Sequence, residues 1–302
     1  MTVLGAAERK VLEAVSAAVP EWYGPSARLL PGAGVQPRPW SVHLLPTVEA
    51  GGSLIPLVVK VPLWDQAADL AAALAAGPQP STRTEFETLR RIEEMVEGRA
   101  GLAAVRAVGY LPDVNALVTE QLAGTPLRRL RRGREAALRG TGAWLRAFHD
   151  EIGAAAMHPV TEAHLAGLLE GTAPPEAAPG SLHAAAAEAR REATGLRDAG
   201  VRQAVLHGDL GPSNVLVDPA GRVAVLDPNL GPGPVEADLA KLAVTLRTTR
   251  ARLLAGTGGS GRAEAALLAG YGPVDREVLR ICSRVATLRR WIEVEAGASG
   301  WR

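Results

Sequence analysis

The stretch LHGDLGPSNVLVDPAGRVAVLD, residues 206–227, constrains this chain more than any other, because its local geometry can be read residue by residue. Gly211 and Pro212 keep the segment after Leu206 out of a helix and leave a loop. Val215-Leu216-Val217 then alternates as a strand, Asp218-Pro219-Ala220-Gly221 forms a turn, and the run VAVL returns as the second half of a hairpin, each turn residue having its own backbone reason to be there. Such a hairpin brings Asp227 back beside Asn214. Asp209 and Asn214, with four residues between them, share one loop and face one centre, one placed to accept a proton and the other to ligate a metal, as phosphoryl transfer requires. Asn214 and Asp227 on adjacent strand ends suit Mg²⁺, which takes one or two carboxylate or amide oxygens and otherwise keeps water and substrate phosphates. Taken singly, each Asx residue is explained by turn chemistry. The coincidence of His207, Asp209, Asn214 and Asp227 is what makes a motif.

On these residues the segment resembles the catalytic core of the aminoglycoside phosphotransferase-like family of small-molecule kinases, which are similar to choline and homoserine kinases and, more remotely, to protein kinases. The resemblance extends over most of the chain. It implies an α+β, bilobal protein-kinase-like fold: a small nucleotide-binding N-terminal lobe with an antiparallel sheet and helices over residues 1–119, a hinge over 120–124, and a larger, mainly helical lobe over 125–302. It also implies that Asp209 accepts the proton of a substrate hydroxyl, that Asn214 binds Mg²⁺ and that Asp227 bridges the metal to the nucleotide phosphates. His207 takes the place of a histidine that braces the loop. A group titrating near 6.5 suits proton transfer, but Asp209 already has that task.

A kinase also needs a cation for the donor phosphates. The run LIPLVVKVPL, residues 54–63, is an apolar strand with Lys60 in it, where a charge must reach the surface or be paired. It reads either as an edge-strand lysine facing water or as the ammonium that grips the α and β phosphates, held by a carboxylate on the next helix. Residues 82–97 form that helix, with Phe86, Leu89, Ile92 and Met95 or Val96 at helical spacing. Its candidate partners are Glu85, favoured by the resemblance, and Glu87; a glutamate in a first turn also serves the helix dipole.

Two further nucleotide contacts are expected. In residues 27–45, a strand to Leu30, a loop with Gly32, Ala33 and Gly34 and a second strand from Trp40 would let backbone amides approach phosphate oxygens at Gly32 and Gly34; the same glycines fit an ordinary turn. Residues 116–127, ALVTEQLAGTPL, resemble the family's hinge, where backbone groups from Glu120 to Leu122 would meet the adenine ring. The implied cofactors are Mg²⁺ and ATP, with GTP as an alternative.

With 302 residues, 47% of them hydrophobic, the chain sits at the upper limit for one core and predicts two lobes. Its apolar runs are broken by charge, Pro or Gly short of the roughly 20 residues a membrane span needs. Glu8, Arg9, Lys10 and Glu13 fall where a signal peptide would be apolar, so the N-terminus reads as an amphipathic helix on the first lobe and the protein as cytoplasmic. Cys282 is the single cysteine and reads as a small buried apolar residue. The net charge of +1 lacks the basic excess of a nucleic-acid binder. One local exception gathers Arg128, Arg129, Arg131, Arg132, Arg134 and Arg139; it is a solvated helix face or a rim that attracts an anionic substrate or surface.

The second half predicts helices over 136–150, 182–200, 239–255, 261–270 and 274–294, with a Pro/Gly/Ala loop at 171–181. In this architecture residues 150–200 and the last helix near Trp291 and Glu293 choose the acceptor. Only PNLGPGPVEA, ten residues, separates Asp227 from Asp238, too short for the segment on which a protein kinase docks a polypeptide, and Gly208 stands where a protein kinase has an arginine that receives an activating phosphate. Asp238 reads as a helix N-cap that also ties down the catalytic loop. Pro228-Asn229 departs from the family's pattern, so Asn229 could serve a second metal position. The substrate lobe is not acidic, which weighs against polycationic acceptors. The sequence reading is therefore a Mg²⁺-dependent kinase with a small-molecule hydroxyl acceptor; the alternatives are a catalytically silent nucleotide-binding scaffold and, further off, a protein kinase.

Overall fold

The computed structural model describes residues 4–63, 67–248 and 261–295. The chain forms two compact units. One runs through Glu97 and takes up Ala104–Ala123; the other joins Gly98–Ala103 to the chain from Gly124 onward. The division thus falls inside the expected 120–124 hinge, but Gly98–Ala103, expected in the first lobe, goes with the second. The reason is long-range pairing: the Ala103 amide donates to Val223 O at 2.8 Å and the Val223 amide to Gly101 O at 2.9 Å, while the Trp144 indole reaches Ala103 O at 3.2 Å.

The first unit begins with α1 (Ala6–Tyr23), whose Val11, Val15 and Val19 recur every four residues and are fully buried, as one stripe of a surface helix should be. They pack on an all-antiparallel sheet of seven strands: β1 (Arg28–Leu29), β2 (Gly34–Arg38), β3 (Ser41–Leu45), β4 (Thr47–Ala50), β5 (Ser53–Pro62), β6 (Ala107–Leu111) and β7 (Ala116–Glu120). β5 is the axis, with β3 and β4 on one side and β7 on the other. Leu57, Val59 and Val61 are buried, and the two-residue period of a strand turns Lys60 to the opposite face. The helices are α2 (Leu70–Ala76), capped by Asp69, and α3 (Pro80–Val96). Pro80 sits at the start of α3, where a missing N–H costs nothing, and the helix buries Leu89, Ile92 and Met95 with Thr82 and Thr88, leaving Phe86 half-buried.

The expected strand boundaries near Gly32 and Trp40 are wrong in one respect. β2 and β3 pair from Gly34↔Leu45 to Arg38↔Ser41, so the tight turn between them is Pro39-Trp40. Gly34 opens a strand, and Gly32, at φ 90°, bends the chain between β1 and β2.

The second unit contains β8 (Thr125–Pro126), α4 (Arg134–Ala147) running into a π-turn at Phe148–Ile152, β9 (Ala156–Pro159), α5 (Glu162–Leu169), α6 (Gly180–Thr194), β10 (Gly200–Leu206), β11 (Val215–Val217), β12 (Val223–Val225), β13 (Gly231–Pro234), α7 (Glu236–Arg247), α8 (Arg262–Tyr271) and α9 (Arg276–Glu295). The α+β class is as expected, but the helix predicted to run from 239 to 255 ends at Arg247, where Thr248 turns extended (φ −102°, ψ 112°); the rest of the predicted span lies outside the described residues. Its two three-stranded sheets run β13-β10-β9 and β12-β11-β8. α4 and α8 approach closely because Gly142 and Gly270 face each other's backbones: a Cβ on Gly142 would stand 2.1 Å from Leu267 O, and one on Gly270 would stand 1.8 Å from Arg139 O. The post-Asp227 segment, expected as a bare connection, holds β13, which pairs from Gln203↔Pro234 to Leu206↔Gly231. Among the described residues no helix is long and apolar enough to cross a membrane.

Candidate active site

β10 delivers the chain to His207, and the following loop is held from below by one buried carboxylate. Asp238 accepts the His207 amide on Oδ2 at 2.7 Å and the Gly208 amide on Oδ1 at 3.0 Å. Its Oδ2 also receives His149 Nε2 at 3.1 Å, and His149 Nδ1 meets the Tyr271 hydroxyl at 2.9 Å. Asp238 is not the N-cap of its helix: α7 begins at Glu236, so Asp238 lies inside the first turn and spends its oxygens on the loop instead of on its own helix. Burial alone would raise its pKa, but the hydrogen bond and charge of His149, with the nearby His207 and its amide, hold it below the usual carboxylate value.

His207 is buried and donates from Nε2 to Leu226 O at 3.0 Å. A carbonyl can only accept, so Nε2 carries the proton, and Nδ1 has no partner among the described residues. Burial lowers the imidazole pKa against the pull of Asp238, which fits a neutral brace and not a base. Gly208 has φ 73°, and a Cβ there would stand 1.9 Å from Asn229 O, so only glycine fits. Asn229 is itself tied to the loop, its amide donating to His207 O at 2.8 Å.

Asp209 and Asn214 meet. Asn214 Nδ2 donates to Asp209 Oδ2 at 3.0 Å and to the Asp209 carbonyl at 2.9 Å, which leaves Asn214 Oδ1 as the atom able to ligate a cation. The hairpin pairs Val215↔Val225 and Val217↔Val223, with its turn closed by Asp218 on the Arg222 amide at 2.8 Å. The Leu226 amide then donates to Asn214 O at 2.8 Å, so Asp227, exposed and at φ 55°, follows a residue anchored on Asn214. Among the described residues no three His, Cys, Asp or Glu gather as a metal cage. An amide oxygen and one carboxylate are a donor set that fits Mg²⁺, which leaves its other positions to water and phosphate.

The first unit holds the expected ion pair. Lys60 Nζ lies 2.7 Å from Glu85 Oε1, both side chains largely covered, whereas Glu87 bonds Arg83 at the surface; Glu85 is the partner. Glu120 uses its side chain on the Tyr23 hydroxyl at 2.9 Å and on Arg106. The Glu120 and Gln121 amides go to Arg106 O and Pro56 O, so among the expected hinge contacts the Leu122 amide is the donor left over among the described residues.

Lys241, one turn after Asp238, escaped the sequence reading: its Nζ donates to Asp209 Oδ1 and to Gly208 O, both at 2.8 Å. The signal was present, since residues three apart share a helix face and Asp238 was already expected to face the loop. The helix closing on Phe148-His149 resembles a family helix that packs under the loop, and His149 does support it through Asp238; Tyr271, which bonds His149 from a distant segment, was missed. The arginines at 128, 129, 131, 132 and 134 are exposed and Arg139 pairs with Glu135, with the Arg128 amide bonded to Pro212 O at 3.0 Å. Trp291 lines a cavity of about 350 Å³ between α6 and α9, and Glu293 pairs with Arg290 at 2.6 Å.

The two buried groups predict the acid limit of the fold. Because His207 is more acidic when folded, the unfolded chain binds its proton first, and stability falls as pH drops below about 6.5; Asp238, also more acidic when folded, adds a second loss as pH falls below about 4. His207→Gln keeps a donor at the Nε2 position and cannot titrate, so its thermal midpoint should be flatter between about pH 5 and 6.5 than that of the parent. An identical slope in both would remove His207 as the cause.

The fold is the bilobal protein-kinase-like fold of small-molecule kinases. The chain is similar to an aminoglycoside-3'-phosphotransferase of type VIII (20% identity, covering 94% of this chain and 100% of that one, TM-score 0.52). It is likewise similar to a choline/ethanolamine kinase family protein from Mesorhizobium loti (18%, 96% and 87%, 0.56) and to an amicoumacin kinase in complex with AMP-PNP and Ca²⁺ (14%, 98% and 87%, 0.59). No curated protein matches it. The chain belongs to the phosphotransferase enzyme family, whose model matches residues 76–282.

Proposed function

We propose that this phosphotransferase moves the γ-phosphoryl group of ATP, or of GTP, to a hydroxyl of a small molecule. The observation that carries the reading is Asn214, whose side-chain nitrogen is fixed on Asp209 while its backbone carbonyl receives the Leu226 amide. One residue therefore sets the spacing between a candidate base and a candidate metal site. Asn214 Oδ1 and Asp227 would hold Mg²⁺, which when bound neutralises charge on the donor phosphates. Asp209 orients the acceptor hydroxyl and takes its proton, with attack in line on the γ-phosphorus and the nucleoside diphosphate leaving. Lys60, kept in place by Glu85, binds the α and β phosphates. Positioning and charge neutralisation do most of the work in such a transfer. The similar solved proteins are kinases of hydroxyl-bearing small molecules, one of them holding a nucleotide analogue and a divalent cation, which supports a like chemistry here. The second lobe carries arginines at least as densely as carboxylates, which favours neutral or anionic acceptors over polycations.

The test is thermal stabilisation by ATP and GTP with and without Mg²⁺, in the parent and in Asp227→Ala. A metal-dependent shift in the parent that disappears in Asp227→Ala is expected. Absence of a shift with either nucleotide in the parent would replace the kinase reading with that of a silent scaffold, and phosphate transfer to protein substrates would replace the small-molecule acceptor.

A further inference from the structure

We infer that Lys241 is a second catalytic residue, a fixed ammonium that contacts the acceptor oxygen or the transferring phosphoryl group beside Asp209; this rests on the proposed phosphotransfer. An ammonium has three protons to donate. Lys241 spends two, on Gly208 O and on Asp209 Oδ1, both at 2.8 Å, and the third has no partner among the described residues. The two anchors fix where that third donor can point. Gly208 O belongs to the loop backbone, whose neighbouring amides are locked by Asp238 from the same helix three residues earlier, so helix, loop and base form one rigid frame. The side chain remains 39% exposed, so the donor is open to a ligand and not sealed in the core.

The loop itself supplies no cation. Between Asp209 and Asn214 stand Leu210, Gly211, Pro212 and Ser213, and an in-line transfer builds negative charge on equatorial oxygens that a positive group must meet. Lys241 brings a charge to within hydrogen-bonding distance of the base without using a loop position. Asp209 meanwhile keeps lone pairs for the acceptor hydroxyl, because Lys241 occupies one site on Oδ1 and Asn214 one on Oδ2, and each carboxylate oxygen offers two.

The experiment uses MgATP alone, with water as acceptor, so that no acceptor identity is assumed. The parent, Lys241→Met and Lys241→Arg are compared for steady-state ATP hydrolysis, Mg²⁺-dependent thermal shift and thermal midpoint. Lys241→Met should lower kcat by about 10²- to 10³-fold, the usual effect of removing one preorganised donor, with KM for MgATP, thermal shift and midpoint unchanged. Lys241→Arg, which keeps the charge, should recover a large part of kcat. A Met variant that hydrolyses MgATP within about twofold of the parent, or an Arg variant as slow as Met, overturns the catalytic assignment. A Met variant whose loss tracks a fall in midpoint or a rise in KM makes Lys241 a structural or binding residue and overturns it too. A parent that neither binds nor hydrolyses MgATP overturns the phosphotransfer reading itself, a result separable from failure at Lys241.

Discussion

Asp209→Asn lowers turnover by about 10²- to 10⁴-fold, the range expected for removal of a positioned general base, while the Mg²⁺-dependent thermal shift with ATP stays close to that of the parent. The separation follows from what Asp209 touches. Its oxygens face Asn214 Nδ2 and Lys241 Nζ, and the atoms proposed to hold the metal, Asn214 Oδ1 and the Asp227 carboxylate, belong to other residues. In the variant the new amide turns its oxygen to the lysine, since an ammonium can only donate, and its NH₂ then faces the Asn214 NH₂. That mismatch is local and half-exposed, so it costs little stability, but the remaining oxygen is a weak proton acceptor. Turnover within tenfold of the parent would remove Asp209 from the role of base. Loss of the nucleotide shift would mean that the mutation damaged the metal site instead.

Asp238→Ala has the larger effect on the fold. It strips an acceptor from the amides of His207 and Gly208 and from His149 Nε2, in a place where Asp238 is only 2% exposed. Unpartnered buried donors cost about 1–3 kcal/mol each, and breaking a buried ionic contact typically costs about 3–5 kcal/mol in total, a large share of the 5–15 kcal/mol that keeps an ordinary domain folded. Chemical denaturation followed by tryptophan fluorescence should register this loss through Trp144, which packs edge-on to His207 with ring centroids 6.2 Å apart. The loop geometry goes with it, so the variant should also be inactive under conditions where it remains folded. A variant less than about 1 kcal/mol weaker than the parent would mean that water replaces the carboxylate and that the loop is held chiefly by other contacts.

Local patterns carried a good part of this architecture. The hairpin at Val215–Val225 was legible because alternating valines and an Asp-Pro-Ala-Gly turn are short-range signals, and the hairpin alone puts Asp227 after Asn214's partner strand. That Lys60, a charge in an apolar strand, needed a carboxylate from the following helix was legible; the choice of Glu85 over Glu87 was not, because both sit in the same helical turn and only the packed structure shows which one faces the lysine. What stayed hidden depended on long-range pairing. Gly231–Pro234 is depleted of every residue that favours strands, yet it forms an edge strand on β10, where Pro is tolerated. The Pro39-Trp40 turn was masked by the louder glycines at 32 and 34, although strand register places the turn at Arg38↔Ser41. Gly98–Ala103 joined the second unit through hydrogen bonds to residues more than a hundred positions away, which no local pattern records. Asp238 accepts the His207 and Gly208 amides of the loop, and the N-cap assignment failed because one residue type serves both purposes and only the start of the helix at Glu236 tells them apart.

The contact between Asp238 and the loop also sets an order of assembly. The residues that make the motif recognisable lie within one short stretch, but the carboxylate that shapes it arrives 30 and 31 positions later in the chain. Until α7 has folded back onto β10, residues 206–227 can form their hairpin and still lack the bend at Gly208 that presents Asp209. Phosphotransfer competence is therefore a late event in folding, and the first appearance of activity during refolding should coincide with protection of the His207 and Gly208 amides from hydrogen exchange.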